Sequence, residues 1–109
     1  MKLYFYFLEN GNIRIEVCEA EKDYKSYFLQ EKVNGCYNSM ILERDIGVLK
    51  PGWSDLVILT EPDTKKAKQI YSDWIHQNIA IKQKEIEKKQ EEISELEQKL
   101  GIVQNFKTP

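Results

Sequence analysis

From Leu3 to Leu8 the chain is apolar without a break, and from Ile13 to Val17 apolar and polar residues alternate. Alternation with a period of two is the pattern of a β-strand with one buried face. The dipeptide Asn10-Gly11 separates the two runs. It predicts a two-residue type I′ turn, in which both central residues take positive φ. That turn sets the register: Glu9 faces Asn12, Leu8 faces Ile13, Tyr6 faces Ile15 and Tyr4 faces Val17. Opposed residues share a sheet face. One face then holds Tyr4, Tyr6, Leu8, Ile13, Ile15 and Val17 and reads as a core face. The other holds Leu3, Phe5 and Phe7 beside Arg14, Glu16 and Cys18. The first strand is thus expected to be covered on both sides, in a central or interface position, with the second as its half-exposed neighbour.

A second Asn-Gly, Asn34-Gly35, divides "YKSYFLQEKV" from "CYNSMIL". The same turn logic pairs Val33 with Cys36, Leu29 with Met40 and Phe28 with Ile41. "DLVILT", Asp55 to Thr60, is rich in branched residues and predicts a fifth strand. Between strands four and five, "ERDIGVLKPGW" predicts a short helical turn followed by a loop. These elements amount to a small antiparallel sheet of about five strands over residues 1–62, curling toward a barrel.

After Thr60 the period changes. Thr60 or Asp63 offers an N-cap, and Pro62 is tolerated beside it. Ala67, Ile70, Tyr71, Trp74, Ile75 and Asn78 follow the spacing of one broad helical stripe. Tyr71 and Trp74 are expected to seal the sheet. From Ile79 the stripe narrows: Ile79, Ile86, Ile93 and Leu100 recur every seven residues. With these at heptad position a, Ile75, Lys82, Lys89, Leu96 and Val103 fall at d. A seam this narrow suits a coiled coil, so residues 63–79 are expected to pack on the sheet and 79–100 to project and dimerise. Gly101 reads as a stop, which leaves Ile102, Val103 and Phe106 in a tail, 101–109. A helix over 63–100 is about 55 Å long at about 1.5 Å per residue, against about 25–30 Å for a compact domain of sixty residues. Charge pairs such as Glu85–Lys89 and Glu95–Lys99 contribute only about 0.2–0.5 kcal/mol each. One buried isoleucine contributes about 1.5–3 kcal/mol, so homodimerisation through the seam explains the pattern better than surface pairing. The fold class is therefore α+β.

Charge narrows the function classes. The net charge of −2 supplies no basic surface for displacing nucleic-acid counterions, so nucleic acid is not an expected partner. No run reaches the roughly 20 apolar residues that span a bilayer, and the apolar start is too short for a signal segment. A cytoplasmic location is expected, with no membrane association. Cys18 and Cys36 form no C-x-x-C motif and are expected to be reduced and structural.

Candidate chemistry is sparse. The sole histidine, His76, has Asp73 nearby but no nucleophile or second ligand in sequence. No phosphate-binding glycine loop, nucleophile elbow or zinc motif occurs. The neighbours Glu43, Asp45 and Asp55 are weak evidence in a chain with 18 acidic residues. No catalytic residue, metal or cofactor is expected. The chain has two arginines, Arg14 and Arg44. Arg44 is read either as a salt-bridge partner of Glu43, Asp45 or Asp55, or as a planar fork for a ligand or partner. Phe5, Phe7 and Tyr37 are further candidate contacts.

The order "MKLYFYFLENGNIRIEVCEAE", a second hairpin, "ERDIGVL", "LVILTEPDTKKAKQIY" and an E/K/I/L-rich helix resembles small accessory proteins of Firmicutes phages, prophages and mobile elements. The resemblance covers nearly the whole chain and rests on the "KLY" strand, the "IG" corner and the "KAK" helix start. It implies a mobile-element context and binding to host machinery, including defence systems. The expectation is a non-enzymatic dimeric binding protein that modulates or inhibits a host complex. The alternatives are a binder of a nucleotide-like signal and a small enzyme built across a dimer interface.

Overall fold

A computed structural model describes residues 1–50 and 55–108. Six strands form one antiparallel sheet: β1 (Lys2–Glu9), β2 (Asn12–Asp23), β3 (Ser26–Leu29), β4 (Met40–Leu42), β5 (Leu49–Lys50) and β6 (Leu56–Leu59). One helix follows, α1 (Thr64–Asn105). The strand order is β4-β3-β2-β1-β6-β5. The sheet curls into a half-barrel, and the length of β2 allows it. Residues up to Glu19 pair with β1, and residues from Ala20 onward pair with β3. The described chain divides into two compact units, Met1–Trp74 and Ile75–Pro109.

In the first unit β1 is central, between β2 and β6, and buried on both faces. Leu3, Phe5 and Phe7 pack with Cys18, Ala20, Tyr27, Val33, Cys36, Ile41, Leu56 and Ile58. On the opposite face Tyr6 packs with Val57, Leu59, Ala67 and Tyr71, flanked by Tyr4, Leu8 and Ile13. The unbroken apolar run of β1 is the sequence consequence of two cores sharing one strand. The first turns of α1 close the second core. Asp63 caps the helix by accepting the Lys66 N–H at 3.0 Å on Oδ1, which satisfies one of the donors left open at a helix start.

The β1–β2 register is the one expected from Asn10-Gly11. The turn type differs. Gly11 has φ +84°, but the only non-glycine residues at positive φ among the described residues are Tyr24 and Asp55, so the turn is not type I′. The core-face assignment also narrows. Ile15 and Val17 are about half exposed, because the helix packs over Tyr6 and β6 and does not cover the centre of β2.

The β3–β4 register is shifted by one residue from the expected one: Tyr27 pairs with Ile41 and Phe28 with Met40. A one-residue slip exchanges sheet faces, and burial selects the observed pairing. Tyr27 and Ile41 are buried, while Phe28 and Met40 are exposed. Asn34-Gly35 does form a turn, with the Cys36 N–H donating to the Val33 carbonyl at 3.0 Å. It sits inside a loop, not at the tip of a hairpin, because Val33 and Cys36 turn inward to the core.

The segment after β4 begins with the expected helical turn, a 3-10 turn at Glu43–Asp45. It then holds an unexpected sixth strand, β5, paired with β6 through Leu49↔Val57 and Lys50↔Leu56. The rest of the expected loop, 51–54, lies outside the described residues. Trp74 is half-buried and Ile75 is exposed, so Tyr71 rather than Trp74 is the aromatic seal. The helix does not stop at Gly101 but runs on to Asn105. Gly101 does not adopt the left-handed conformation of a helix stop. A helical glycine costs about 1 kcal/mol, which the flanking turns tolerate.

Candidate functional site

The corner after β4 lines a cleft in the first unit. The Glu43 N–H donates to the Lys25 carbonyl at 2.8 Å, anchoring the 3-10 turn to the β2–β3 turn. The Gly47 N–H donates to the Ile58 carbonyl at 2.8 Å, and Ile46 bridges Ile58 in parallel. Gly47 has φ +74°, a conformation that favours glycine. These bonds hold both edges of the sheet on one cleft of about 810 Å³. Met40 and Leu42 line it from β4 and Lys50 from β5. Arg44 and Asp45 line it from the 3-10 turn, and Tyr37, Asn38 and Ser39 from the loop. A smaller cavity of about 470 Å³ adjoins at Lys25, Leu42, Glu43 and Arg44.

The ion pairs at this corner leave Arg44 out. Asp45, the only charged residue buried among those described, takes the Lys50 ammonium at 2.6 Å. Glu43 takes Lys22 at 3.5 Å. Arg44 is exposed and makes no ion pair among the described residues. The salt-bridge reading of Arg44 to Glu43, Asp45 or Asp55 therefore does not hold: Glu43 and Asp45 pair with lysines, and Arg44 forms no ion pair with Asp55. Tyr37, 90% exposed, lies in the same cleft. Two of the sequence candidates, Tyr37 and Arg44, are thus brought together.

Phe5 and Phe7 are not available as contacts. Both are fully buried in the core, and their hydrophobic signal belongs to packing. The polar face of β2 serves that core. Arg14 stacks over the Phe7 ring at 4.2 Å and pairs with Glu9 at 2.6 Å and Glu16 at 2.7 Å. Its Nη2 also donates to the Asn34 carbonyl at 3.0 Å. The Glu9 hydrogen bond pushes the guanidinium pKa up. Sequence reading weighted Arg44 and passed over Arg14, although the Phe7↔Arg14 pairing was implied by the first turn.

Cys18 and Cys36 are free and buried, and burial pushes the Cys36 thiol up, away from thiolate chemistry. His76 is exposed, and Asp73 accepts a hydrogen bond from Gln69 at 2.7 Å. Among the described residues no cluster of three or more His, Cys, Asp or Glu side chains could hold a metal ion. Asn38, Ser39, Met40 and Lys50 line the cleft without having been singled out. The loop has no periodicity, and β5 is too short to leave any.

The second unit presents a different surface. Ile79, Ile86, Ile93, Leu96 and Leu100 are between 48% and 62% exposed. Ile79, Ile86, Ile93 and Leu100, seven residues apart, stay near one face of α1, drifting only about 20° per heptad, with Leu96 beside them at d. Lys82 and Lys89, at d, pair with Glu85 and Glu92 on the same helix, both at 3.5 Å. These replace the expected Glu85–Lys89 pairing. No helix among the described residues is long and apolar enough to cross a membrane. The chain matches no family model, no curated protein and no solved structure.

Proposed function

We propose that the chain is a non-enzymatic, dimeric protein-binding module. The Arg44–Tyr37 cleft recognises a partner, and the seam of α1 joins two copies. The observation that carries this reading is the seven-residue recurrence of half-exposed isoleucines and leucines on α1. An amphipathic seam gains about 1.5–3 kcal/mol for each large residue it buries, and the surface ion pairs offer far less. The sequence resemblance supports a phage or mobile-element accessory role in the host cytoplasm, modulating or inhibiting a host complex.

The lysines at d choose the orientation. A parallel pair in register sets Lys82 against Lys82 and Lys89 against Lys89 of the second copy, and Glu92 beside Glu97 at flanking g and e positions. Each is a like-charge contact. An antiparallel pair sets a against d, so Ile86 meets Leu96 of the second copy, Lys89 meets Ile93 and Glu85 approaches Lys99, leaving one like-charge contact, Glu92 against Glu92, where the parallel pair has three. The dimer of this reading is therefore antiparallel. Light scattering at tens of micromolar tests the dimer, and a strict monomer sinks it. Mixed Ile86→Cys and Leu96→Cys chains should cross-link with each other, whereas a parallel pair would cross-link each variant with itself.

A second reading, a binder of a nucleotide-like signal, draws support from the same cleft, since Arg44 offers a phosphate fork and Tyr37 a stacking face. A thermal-shift screen with nucleotides separates the two. Stabilisation by a nucleotide favours the second reading, and its absence the first.

A further inference from the structure

The cleft at Arg44 borders a sheet edge, and that edge has its own chemistry. β4 is the last strand of the sheet, paired only with β3. In an antiparallel ladder the backbone groups of successive residues point alternately toward and away from the neighbour. The Leu29 N–H donates to the Ser39 carbonyl and the Glu43 N–H to the Lys25 carbonyl, both at 2.8 Å. Ser39, Ile41 and Glu43 therefore face β3. Met40 directs its N–H and C=O outward and Leu42 its N–H, the Leu42 carbonyl being taken as the N-cap of the 3-10 turn; both residues line the cleft. An edge with outward groups is a template for an added strand.

Charge says which strand. The carboxylates at this corner are already paired, Glu43 with Lys22 and Asp45 with Lys50. Arg44 has no ion pair among the described residues, and Lys25 joins it in the adjoining cavity. Lys25 lies over the exposed Tyr24 ring at 5.4 Å and makes no ion pair among the described residues. The edge thus offers two backbone anchors beside a cationic fork.

We infer that β4 takes an extended acidic peptide segment by strand addition, with a carboxylate of that segment held by the Arg44 guanidinium. This names the partner chemistry of the cleft and rests on the protein-binding reading above. Backbone pairing to Met40 and Leu42 supplies the alignment. The Arg44 fork accepts a carboxylate through two parallel N–H groups, and the apolar side chains of Met40 and Leu42 meet alternate residues of the added strand.

The test uses the full chain and a fluorescein-labelled peptide of alternating glutamate and valine, followed by fluorescence anisotropy. Arg44→Glu should weaken binding roughly tenfold or more. N-methylation of alternate peptide amides should abolish binding, because it removes the donors of one strand edge without changing charge. The matching peptide with lysine in place of glutamate should not bind. Equal binding of the methylated peptide, or no effect of Arg44→Glu, overturns the inference. Failure of the parent reading looks different. A host-lysate partner captured equally by the full chain and by its Arg44→Glu variant overturns the inference and leaves a binding module with another recognition mode. No captured partner, together with nucleotide stabilisation that Arg44→Glu removes, overturns both.

Discussion

The two compact units use their apolar residues in opposite ways. From Met1 to Trp74, nearly every large residue of β1 and β6 is buried, and two cores share one central strand. From Ile75 onward, every isoleucine, leucine and valine is exposed. One continuous helix contributes to both units. Its opening turns carry a wide stripe whose buried residues are Ala67 and Tyr71, and its later turns carry a narrow one that no described residue buries. The width of an apolar stripe, more than its hydrophobicity, tells a face that packs on a sheet from a face made for another helix.

The largest expected effect falls on the narrow stripe. In the dimer proposed above, replacing Ile86 and Ile93 together with lysine should raise the dissociation constant at least a hundredfold. Two isoleucines per chain that such a pairing would bury are worth about 1.5–3 kcal/mol each, and 1.4 kcal/mol is tenfold. Sedimentation equilibrium reads the change. Urea unfolding followed at the near-ultraviolet tyrosine and tryptophan bands should leave the sheet unit unchanged. A simultaneous loss of both would show that the units do not act separately.

Gly35→Ala tests the covered region. Gly35 has φ +95°, and a Cβ there would stand 3.0 Å from the Phe7 ring and 3.0 Å from Arg14 Nη2. Left-handed backbone costs a non-glycine residue about 1–2 kcal/mol, and overpacking costs about 1–3 kcal/mol. A loss of about 2–4 kcal/mol in urea unfolding is expected, with dimerisation intact. A neutral result would mean that the loop over Phe7 yields freely.

This residue also shows what could and could not be read from the sequence. Asn10-Gly11 sits between two strands that continue on both sides, so its turn gave the register of β1 and β2 directly. Asn34-Gly35 has the same two letters and a turn of its own, but Val33 and Cys36 point into the core and the strands stop short. Local turn chemistry is the same in both places, and tertiary burial decides which turn propagates into a ladder. The same competition explains Phe5 and Phe7. Their face looked half polar because Arg14 and Glu16 lie opposite, and only the structure shows Arg14 stacked as a lid over Phe7. For the cleft, Arg44 and Tyr37 were legible as unusual residues. Their meeting was not, because it depends on the curl of the sheet and on a two-residue strand.

Tyr71 gives a smaller effect with a pH signature. Its hydroxyl lies 2.8 Å from the Tyr6 carbonyl and also bonds the Asp55 carbonyl. Burial pushes its pKa up to about 12, against about 10 in the unfolded chain. A raised folded-state pKa means that the unfolded chain loses this proton first as pH rises. The stabilisation is therefore complete below pH 10 and is lost progressively between about pH 10 and 12. Tyr71→Phe should cost about 1–2 kcal/mol at neutral pH and should flatten this part of the stability profile. If the wild type and the variant fall in parallel over that range, Tyr71 is not the group responsible.

The smallest effect reverses the sign of the glycine test. Gly101 lies inside α1 in helical conformation, and an added Cβ would meet nothing within 4 Å. Gly101→Ala removes backbone freedom from the unfolded chain without strain in the folded one. It should stabilise the second unit by up to about 1 kcal/mol, read as a rise in the temperature at which helical circular dichroism is lost. Gly35→Ala and Gly101→Ala make the same chemical change, so their opposite outcomes separate backbone fit from composition. Gly101 falls at heptad position b, outside the a/d seam, so this gain should not change with protein concentration. A destabilising or concentration-dependent result would mean that a neighbour packs on the outer face of α1, which the seam does not supply.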